Sequence, residues 1–381
     1  MRVFGHFLIV ASVAVGSVLV ATQAPPQSPA QPQANAEMAA KVLAEARKAL
    51  GGEPKLSAVK TFVATGRTRR VSGDNLVPVE FEIDIELPDK YVRKDEIPAQ
   101  ETAPSSNGFN GDGLIQVPPP SPPSSAPASA TQTPPPASRQ APPATAPPAG
   151  QPGASAAGPA APATQGAGGP GAGRPGGPPA MTPQQQQEAA RRTRVTTLKQ
   201  DFVRLTLGMF ATSFSSYPLT FGYVGQAEAP QGKADVLDVK GAGNFAARLF
   251  INTDTHLPIM VSWTVPVTPA NIVLTQPGQT RPTNLQPGAV VVEAPPAPPP
   301  TASKEEQDKY AKDLAALRQK TLQSAKPIEY RLYYADYRDN DGLQFPFRLR
   351  RAIGTDTVEE TTFDRFRLNA KIDPKKFEIV K

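Results

Sequence analysis

The chain of 381 residues contains no cysteine and only two histidines. Without cysteine the protein forms no disulfide bond, so its stability has to come from buried apolar surface. The same absence excludes a lipid attached through an N-terminal cysteine. His6 lies in the N-terminal apolar segment, which leaves His256 as the one histidine of the remaining chain. A zinc site built from His and Cys, or a catalytic triad that uses His, is therefore not expected.

The sequence also lacks a dense basic block. The formal net charge is +6 and the isoelectric point is about 9.4, but Lys and Arg alternate with Asp and Glu in most of the predicted strands. Nucleic acid is therefore not an expected partner. Contact with an anionic cell-envelope surface stays open.

The N-terminus has the pattern of an export signal. Arg2 is followed by an apolar run over Phe7–Val20 and then by small residues. The run is short for a bilayer span, which favours a cleaved signal peptide over 1–24 rather than an uncleaved anchor. After cleavage no stable membrane span is expected, and the predicted location is the bacterial periplasm or the extracellular space.

Proline-rich sequence interrupts the chain at 25–36, 118–182 and 266–302. The second segment consists mostly of Pro, Ala, Gly, Ser, Thr and Gln, and such a composition buries too little apolar surface to offset the entropy of ordering. We predict disorder in the first segment, a disordered insertion in the second and a Pro-rich loop in the third. The insertion and the loop interrupt one domain, formed by 37–117 and 183–381. The insertion is either passive or a docking segment for an envelope protein. In the second case the alternative function is a cell-envelope interaction or stress-sensor module that binds a protein partner.

Alternating apolar and polar residues predict about ten strands. The clearest is Val79–Leu87, where the odd-numbered residues are apolar and the even-numbered ones acidic. The C-terminal segment Ile328–Lys381 contains three such runs, and Asp341-Gly342 joins the first two as a hairpin turn.

Helical spacing and capping signals predict three helices. The first covers Glu37–Leu50 with Met38 and Val42 on its apolar face, and Gly51-Gly52 ends it. Capping boxes open the other two helices; their residue pairs are Thr182 with Gln185 and Ser303 with Glu306. The second helix carries two adjacent apolar stripes, which predicts deep burial; these are Val195, Leu198, Phe202, Leu205 and Met209, and Val203, Leu207, Phe210 and Phe214. The third helix is mostly charged and is expected on the surface.

Many strands, few helices and no alternation of strand and helix indicate an α+β domain with an antiparallel sheet. One apolar face of this sheet needs a cover, and the second helix is the element that is apolar over a wide enough arc. We therefore predict that a large sheet packs around this helix.

Several short motifs resemble the superfamily of bacterial outer-membrane lipoprotein carriers and their periplasmic relatives. They are Leu87-Pro88-Asp89-Lys90-Tyr91, Gly108–Gly113, His256-Leu257-Pro258, Tyr337–Pro346 and Asn369–Phe377. The resemblance implies a curved antiparallel sheet, a half-barrel, wrapped around helices with a hydrophobic cavity for acyl chains. It implies a lipid or a lipoprotein acyl group as partner, and no catalysis. The two Pro-rich insertions depart from the carriers.

The candidate ligand-binding residues are the large apolar ones of the sheet and the second helix. They are Phe81, Ile83, Ile85, Phe202, Leu205, Met209, Phe210 and Trp263. Periodicity alone favours a filled core, whereas the family resemblance implies a cavity. Both interpretations stay open at this stage.

Other polar groups have a structural explanation that competes with a functional one. Asp339–Gly342 fits a hairpin turn better than a calcium loop. The acidic residues Glu80, Glu82, Asp84 and Glu86 follow a spacing of two, which favours a solvated strand face over a metal or acid–base cluster. A second cluster suggests either a phosphate or head-group patch or ordinary pairing with Glu359 and Glu360; it contains Arg348, Arg350, Arg351, Tyr333, Tyr334 and Tyr337. No cofactor, metal or catalytic residue is predicted.

Overall fold

The computed structural model describes residues 30–72, 75–98, 100, 102–118, 182–229, 232–280, 282 and 285–379. The predicted signal peptide 1–24 and residues 119–181 of the predicted insertion lie outside the described residues. The chain divides into two units, one of residues 1–118 and 192–381 and one of residues 119–191. In the second unit the structure describes residues 182–191, which contain the start of a long helix.

Four α-helices occur in the described part of the chain: α1 (Ala30–Ala49), α2 (Glu53–Ala58), α3 (Pro183–Phe210) and α4 (Lys304–Ser324). The α1 helix begins inside the segment 25–36, before the predicted start at Glu37. Its buried face also differs from the prediction, because Met38 is 44% exposed while Ala39 and Leu43 are buried. The helix ends as predicted at two glycines, where the Gly52 N–H donates to the carbonyl of Arg47 at 2.9 Å.

The strands follow the predicted alternation closely. They are β1 (Thr61–Ser72), β2 (Asn75–Glu86), β3 (Lys90–Glu96), β4 (Ser105–Asn110), β5 (Gly113–Val117), β6 (Leu219–Ala229), β7 (Gly232–Gly241), β8 (Phe245–Asn252), β9 (Pro258–Val265), β10 (Ile272–Thr275), β11 (Val290–Glu293), β12 (Ile328–Asn340), β13 (Leu343–Ile353) and β14 (Asp356–Leu368). The short strands β10 and β11 pair in parallel inside the Pro-rich segment 266–302. The prediction missed them and β4, because these stretches contain too few apolar residues or too many prolines to give a clear signal.

Twelve strands form one antiparallel sheet in the order β5-β4-β3-β2-β1-β14-β13-β12-β9-β8-β7-β6. The sheet is open, with β5 and β6 at its edges. This arrangement confirms the predicted α+β class with a large antiparallel sheet and a long helix. The C-terminal strands β12, β13 and β14 lie in the middle of the sheet, between β1 and β9.

The hairpin between β12 and β13 confirms the predicted Asp-Gly turn. Asn340 pairs with Leu343, and Asp341 and Gly342 have φ angles of 57° and 77°. Two central residues with positive φ define a type I′ turn, whose twist matches that of the flanking strands.

The last nine residues of α3 are buried on all sides, as its two apolar stripes predict. Every residue from Phe202 to Phe210 is buried, and the helix shares one hydrophobic cluster with α1 and with one face of the sheet. We call this face of the sheet the inner face. The α4 helix has no buried residue among its 21, in agreement with the predicted surface position. Within the part of the chain that the structure describes, none of the helices combines the length and the hydropathy needed to cross a bilayer.

Both predicted capping boxes form. In α3 the backbone N–H of Gln185 donates to the Thr182 hydroxyl at 3.3 Å, and the Thr182 N–H donates back to the Gln185 side chain at 2.9 Å. In α4 the Ser303 N–H donates to Glu306 at 2.8 Å in the same reciprocal way. These contacts satisfy backbone donors that a helix start otherwise leaves unpaired.

Candidate functional site

A cavity of about 380 Å³ lies between α3 and the inner face of the sheet. We call it the inner cavity. Residues from α3, from β1 to β4 and from β12 to β14 line it. They are Arg70, Ile83, Tyr91, Arg93, Asp95, Asn107, Leu198, Asp201, Leu205, Leu332, Leu349, Arg351, Glu359, Thr361 and Phe363.

Two of the eight predicted ligand-binding residues, Ile83 and Leu205, line this cavity. The structure places the other six in the packed core around it; these are Phe81, Ile85, Phe202, Met209, Phe210 and Trp263. The aromatic residues fill space rather than enclose it. The Phe202 ring, for example, lies 5.6 Å from that of Phe109 and 5.8 Å from that of Tyr91. Core packing thus occupies most of the predicted region, and the cavity begins beside it.

The sheet side of the cavity contains a polar wall, which the sequence patterns did not predict. Arg93 Nε donates to Asp95 Oδ1 at 2.6 Å, and Arg70 lies between Asp95 at 3.7 Å and Glu359 at 3.5 Å. The hydroxyl of Thr68 accepts from Arg93 Nη2 at 3.1 Å. The side chains on this wall therefore form a chain of ion pairs on the inner face of the sheet.

Burial and charge act against each other on this wall. Burial alone would lower the pKa of Arg93, but the neighbouring carboxylate of Asp95 outweighs it and raises the pKa of Arg93. Burial raises the pKa of Tyr91 to about 12. Arg93 stays cationic and Tyr91 stays a neutral phenol at every pH at which the protein would function.

Arg204 contacts both the cavity residue Asp201 and aromatic rings of the core. Its guanidinium lies 4.2 Å from the centroid of the Trp263 ring and 5.2 Å from that of Phe245, and Nη1 donates to Asp201 at 2.9 Å. Burial foremost, and the nearby positive charge of Arg351, lower the pKa of Arg204. The stacked rings and one carboxylate compensate for the loss of water around this charge.

The structure divides the predicted Arg and Tyr patch between the two faces of the sheet. Arg350 lies on the outer face, where its guanidinium is 4.1 Å from the Tyr333 ring centroid. Arg351 lies on the inner face and lines the cavity. In the strand register Arg350 is opposite Glu360, and Arg351 is opposite Glu359. Among the described residues neither arginine forms an ion pair with the glutamate opposite it, so Arg350 belongs to the outer face and Arg351 to the cavity.

A signal for the polar wall was present in the sequence. Arg70 follows Phe62 and Ala64 at even spacing on β1, and Arg351 follows Leu349 at the same spacing on β13. Because residues i and i+2 share a face of a strand, both arginines belong to the apolar face. A charged residue at the end of an apolar run was the feature that could have identified them.

The acidic face of β2 differs from the predicted solvated surface. Asp84 is 2% exposed, because a C-terminal 3-10 turn (Pro374–Phe377) covers this part of the outer face. Lys376 Nζ in that turn lies 2.7 Å from Glu82 and 2.9 Å from Asp84. The prediction that these residues form a solvated face is thus wrong for Asp84.

The inner cavity offers charged, hydrogen-bonding and apolar side chains to a ligand. Its described lining contains arginines, carboxylates, apolar side chains, one Tyr, one Thr and one Asn, but no His, Cys, Ser or Lys. Among the described residues no group of three or more His, Cys, Asp or Glu could hold a metal ion. The carboxylates Asp95, Glu359 and Asp201 are each paired with an arginine.

Comparison of the sequence with protein families and with curated proteins finds no match. Among solved structures, similar folds include a domain described as an outer membrane lipoprotein-sorting protein from Vibrio parahaemolyticus, with 8% identity and a TM-score of 0.38. The match covers 90% of this chain and 97% of that domain.

A LolA superfamily protein from Nitrosomonas europaea has 10% identity and a TM-score of 0.39, covering 89% of this chain and 97% of its own. A DUF1329 family protein from Desulfovibrio piger has 6% identity and a TM-score of 0.34, covering 91% and 97%. With every TM-score below 0.5, the likeness carries no argument about what this chain binds.

Proposed function

We propose that the chain is an exported, non-catalytic protein that binds the acyl chain of a lipid or a lipoprotein in the inner cavity. The observation that supports this proposal is the cavity itself, which lies beside a buried helix and has an apolar wall. Its volume of about 380 Å³ falls at the lower end of the range of about 300–1,000 Å³ for small-molecule sites. This size suits one acyl chain.

The apolar wall would provide the affinity. Leu198 and Leu205 on α3 face Leu332 and Leu349 on the central strands across the cavity. Each methylene that leaves water for such a surface contributes about 0.8 kcal/mol. The predicted export signal supports this proposal, since export would bring the protein to the lipids and lipoproteins of the cell envelope.

The direct test is to purify the protein, extract it with organic solvent and identify co-purified lipids by mass spectrometry. A fluorescent fatty acid titrated into delipidated protein gives the affinity. We expect both an extracted lipid and saturable binding of the probe. If the extract contains no lipid and the probe does not bind, the proposed function is wrong.

A tryptophan in place of Leu198 is expected to weaken binding of the fluorescent fatty acid about ten-fold or more. Leu198 is half-buried on α3 and lines the cavity, so the larger indole would occupy space that the acyl chain needs, at a cost of at least ~1.4 kcal/mol. Thr197→Trp is the matched control, because Thr197 is exposed on the same helix. Equal affinity of the two variants would show that the chain binds elsewhere.

A further inference from the structure

The polar wall of the inner cavity carries one positive charge more than its ion pairs use. Three arginines and three carboxylates line the cavity, but one carboxylate, Asp201, pairs with Arg204, which is not a lining residue. The pairs are Arg93–Asp95 at 2.6 Å, Arg70–Glu359 at 3.5 Å and Arg204–Asp201 at 2.9 Å. Arg351 is the lining arginine that remains.

Arg351 takes part in no ion pair within the described part of the chain. Its cross-strand neighbours are Leu332 on β12 and Glu359 on β14, and the carboxylate of Glu359 is turned toward Arg70. The Nε atom of Arg351 is buried and has no hydrogen-bond acceptor among the described residues. A buried donor without an acceptor lowers stability, and more so when the group is charged.

Resting on the proposed function, we propose that Arg351 binds the anionic head group of the ligand, so that the ligand class is a single acyl chain ending in a carboxylate or a phosphate. The guanidinium presents parallel N–H donors that match two oxygens of either group. The ligand would supply the acceptor that Nε lacks and neutralise the excess charge of the wall.

The arrangement of the cavity fits an amphiphile of this kind. Arg351 and Leu349 lie on the same face of β13, two residues apart, so the charged and apolar walls meet at this strand. The hydrocarbon chain would extend from Arg351 toward Leu198 and Leu205 on α3. A neutral lipid could fill the apolar part but would leave the guanidinium without a partner.

The test compares four probes on the purified, delipidated protein: hexadecanoate, hexadecyl phosphate, methyl hexadecanoate and inorganic phosphate. Each probe is titrated into protein that holds Nile red, a neutral dye, so that the readout itself does not depend on Arg351. The variants are Arg351→Gln and Arg350→Gln. Arg350 is the control because it is adjacent in sequence but stacks on Tyr333 at the outer face.

We expect the unmodified protein to bind the two anionic amphiphiles about ten-fold more tightly than the ester, the effect of one hydrogen-bonded charged contact. Arg351→Gln should remove this preference by weakening the anionic ligands while leaving the ester unchanged. Arg350→Gln should keep it. The tighter of the two anionic amphiphiles identifies a fatty acid or a phosphate-bearing lipid as the source.

Equal affinity for hexadecanoate and its ester in the unmodified protein overturns the proposal, and this comparison does not depend on whether a variant folds. A preference that survives Arg351→Gln overturns it as well. Displacement of the dye by inorganic phosphate at the same concentration would indicate a site for free anions instead. If neither hexadecanoate nor its methyl ester binds, the proposed function itself is wrong. Equal binding of the two would instead overturn only the role of Arg351.

Discussion

Replacing Gly208 with alanine is expected to lower the free energy of unfolding by about 3 kcal/mol, at the upper end of the range for overpacking a core. Gly208 lies in the buried half of α3, directly against the ring of Tyr334. A Cβ at this position would fall 2.8 Å from the Cγ of Tyr334 and closer still to two other ring atoms. Such a contact forces the ring or the helix to move.

Neither side has room to move. Tyr334 is 1% exposed, and its hydroxyl donates to the carbonyl of Arg204 one turn earlier in α3. The hydroxyl of Tyr337 lies 2.8 Å from the carbonyl of Gly208 itself and 2.8 Å from that of Pro258. These contacts hold β12 against the helix backbone, so a shift that relieves the clash would break hydrogen bonds in a buried region.

The sign of the result is diagnostic. In an exposed helix the same replacement stabilises by about 1 kcal/mol, because alanine loses less backbone entropy than glycine. Gly222→Ala is the control on β6, where an added Cβ meets no atom within 4 Å, and its effect should stay within about 0.5 kcal/mol. Urea unfolding followed by circular dichroism measures both.

A second comparison isolates the contact with the ring. In a Tyr334→Ala background the ring is gone, so the further cost of Gly208→Ala should fall well below its cost in the unmodified protein. An unchanged cost in that background, or a stabilising effect of Gly208→Ala alone, would show that the close approach of helix and ring does not limit packing.

Local patterns in the sequence were sufficient to predict most of the sheet. The alternation in β2 and in the C-terminal strands arises because side chains on a strand point to opposite faces, and the Asp-Gly pair set the turn at Asp341 through its positive φ angles. The capping boxes at Thr182 and Ser303 likewise depend on residues within one helical turn. These turns, caps and regular strands arise within a few residues and were predicted correctly, whereas β4, β10 and β11 lack a clear local pattern and were missed.

The order of the strands and the nature of the cavity depend on contacts that no local pattern contains. Glu359 becomes a neighbour of Arg70 because β14 pairs with β1, almost three hundred positions away in the chain, and Arg351 lies opposite Glu359 on β13. Periodicity identified which residues point inward, but it does not tell whether an inward-facing residue packs in the core or borders a cavity. This is why Ile83 and Leu205 line the cavity while Phe202 and Met209, chosen on the same grounds, do not.

Asp84 illustrates the same limit on the outer face. Its alternation with apolar neighbours on β2 predicts a solvated carboxylate, and the strand geometry is as predicted. The covering element is the 3-10 turn near the C-terminus, whose Lys376 comes from a distant part of the sequence. Only the tertiary structure shows that this acidic residue is buried and paired.

Lys376 forms ion pairs with Glu82 and Asp84 on the acidic face of β2. Lys376→Met should destabilise the protein by about 2 kcal/mol at pH 7. Its Nζ atom lies 2.9 Å from both carboxylate oxygens of Asp84, whose side chain is 3% exposed. Loss of one partner from a buried pair costs about 3–5 kcal/mol, but the Lys376 side chain is 38% exposed, so solvent screening reduces the effect.

The size of this effect should depend on pH, with a sign that follows from the pKa shifts. Burial raises the pKa of Asp84, and the hydrogen bonds from Lys376 offset part of that increase. Without Lys376 the pKa of Asp84 rises further, so the folded variant takes up a proton more readily than the unfolded chain, and its stability recovers as the pH falls. The hydrogen bond from Lys376 lowers the pKa of Glu82. The stability that this shift contributes to the unmodified protein is present above pH 4.5 and is lost as the pH falls through the lowered pKa.

The difference between Lys376→Met and the unmodified protein should therefore be large at neutral pH and shrink toward pH 4. It should also shrink at alkaline pH, because the two carboxylates raise the pKa of Lys376 against its burial, and a raised lysine pKa contributes stability that is lost as the pH rises through it. Lys375→Met is the control, since Lys375 has the same charge and adjoins Lys376 but makes no ion pair among the described residues. Urea unfolding of both variants between pH 4 and pH 11 makes the comparison. Equal stability of the two variants at pH 7, or a difference that does not vary with pH, would mean that the C-terminal turn is not held to β2 by this charge pair.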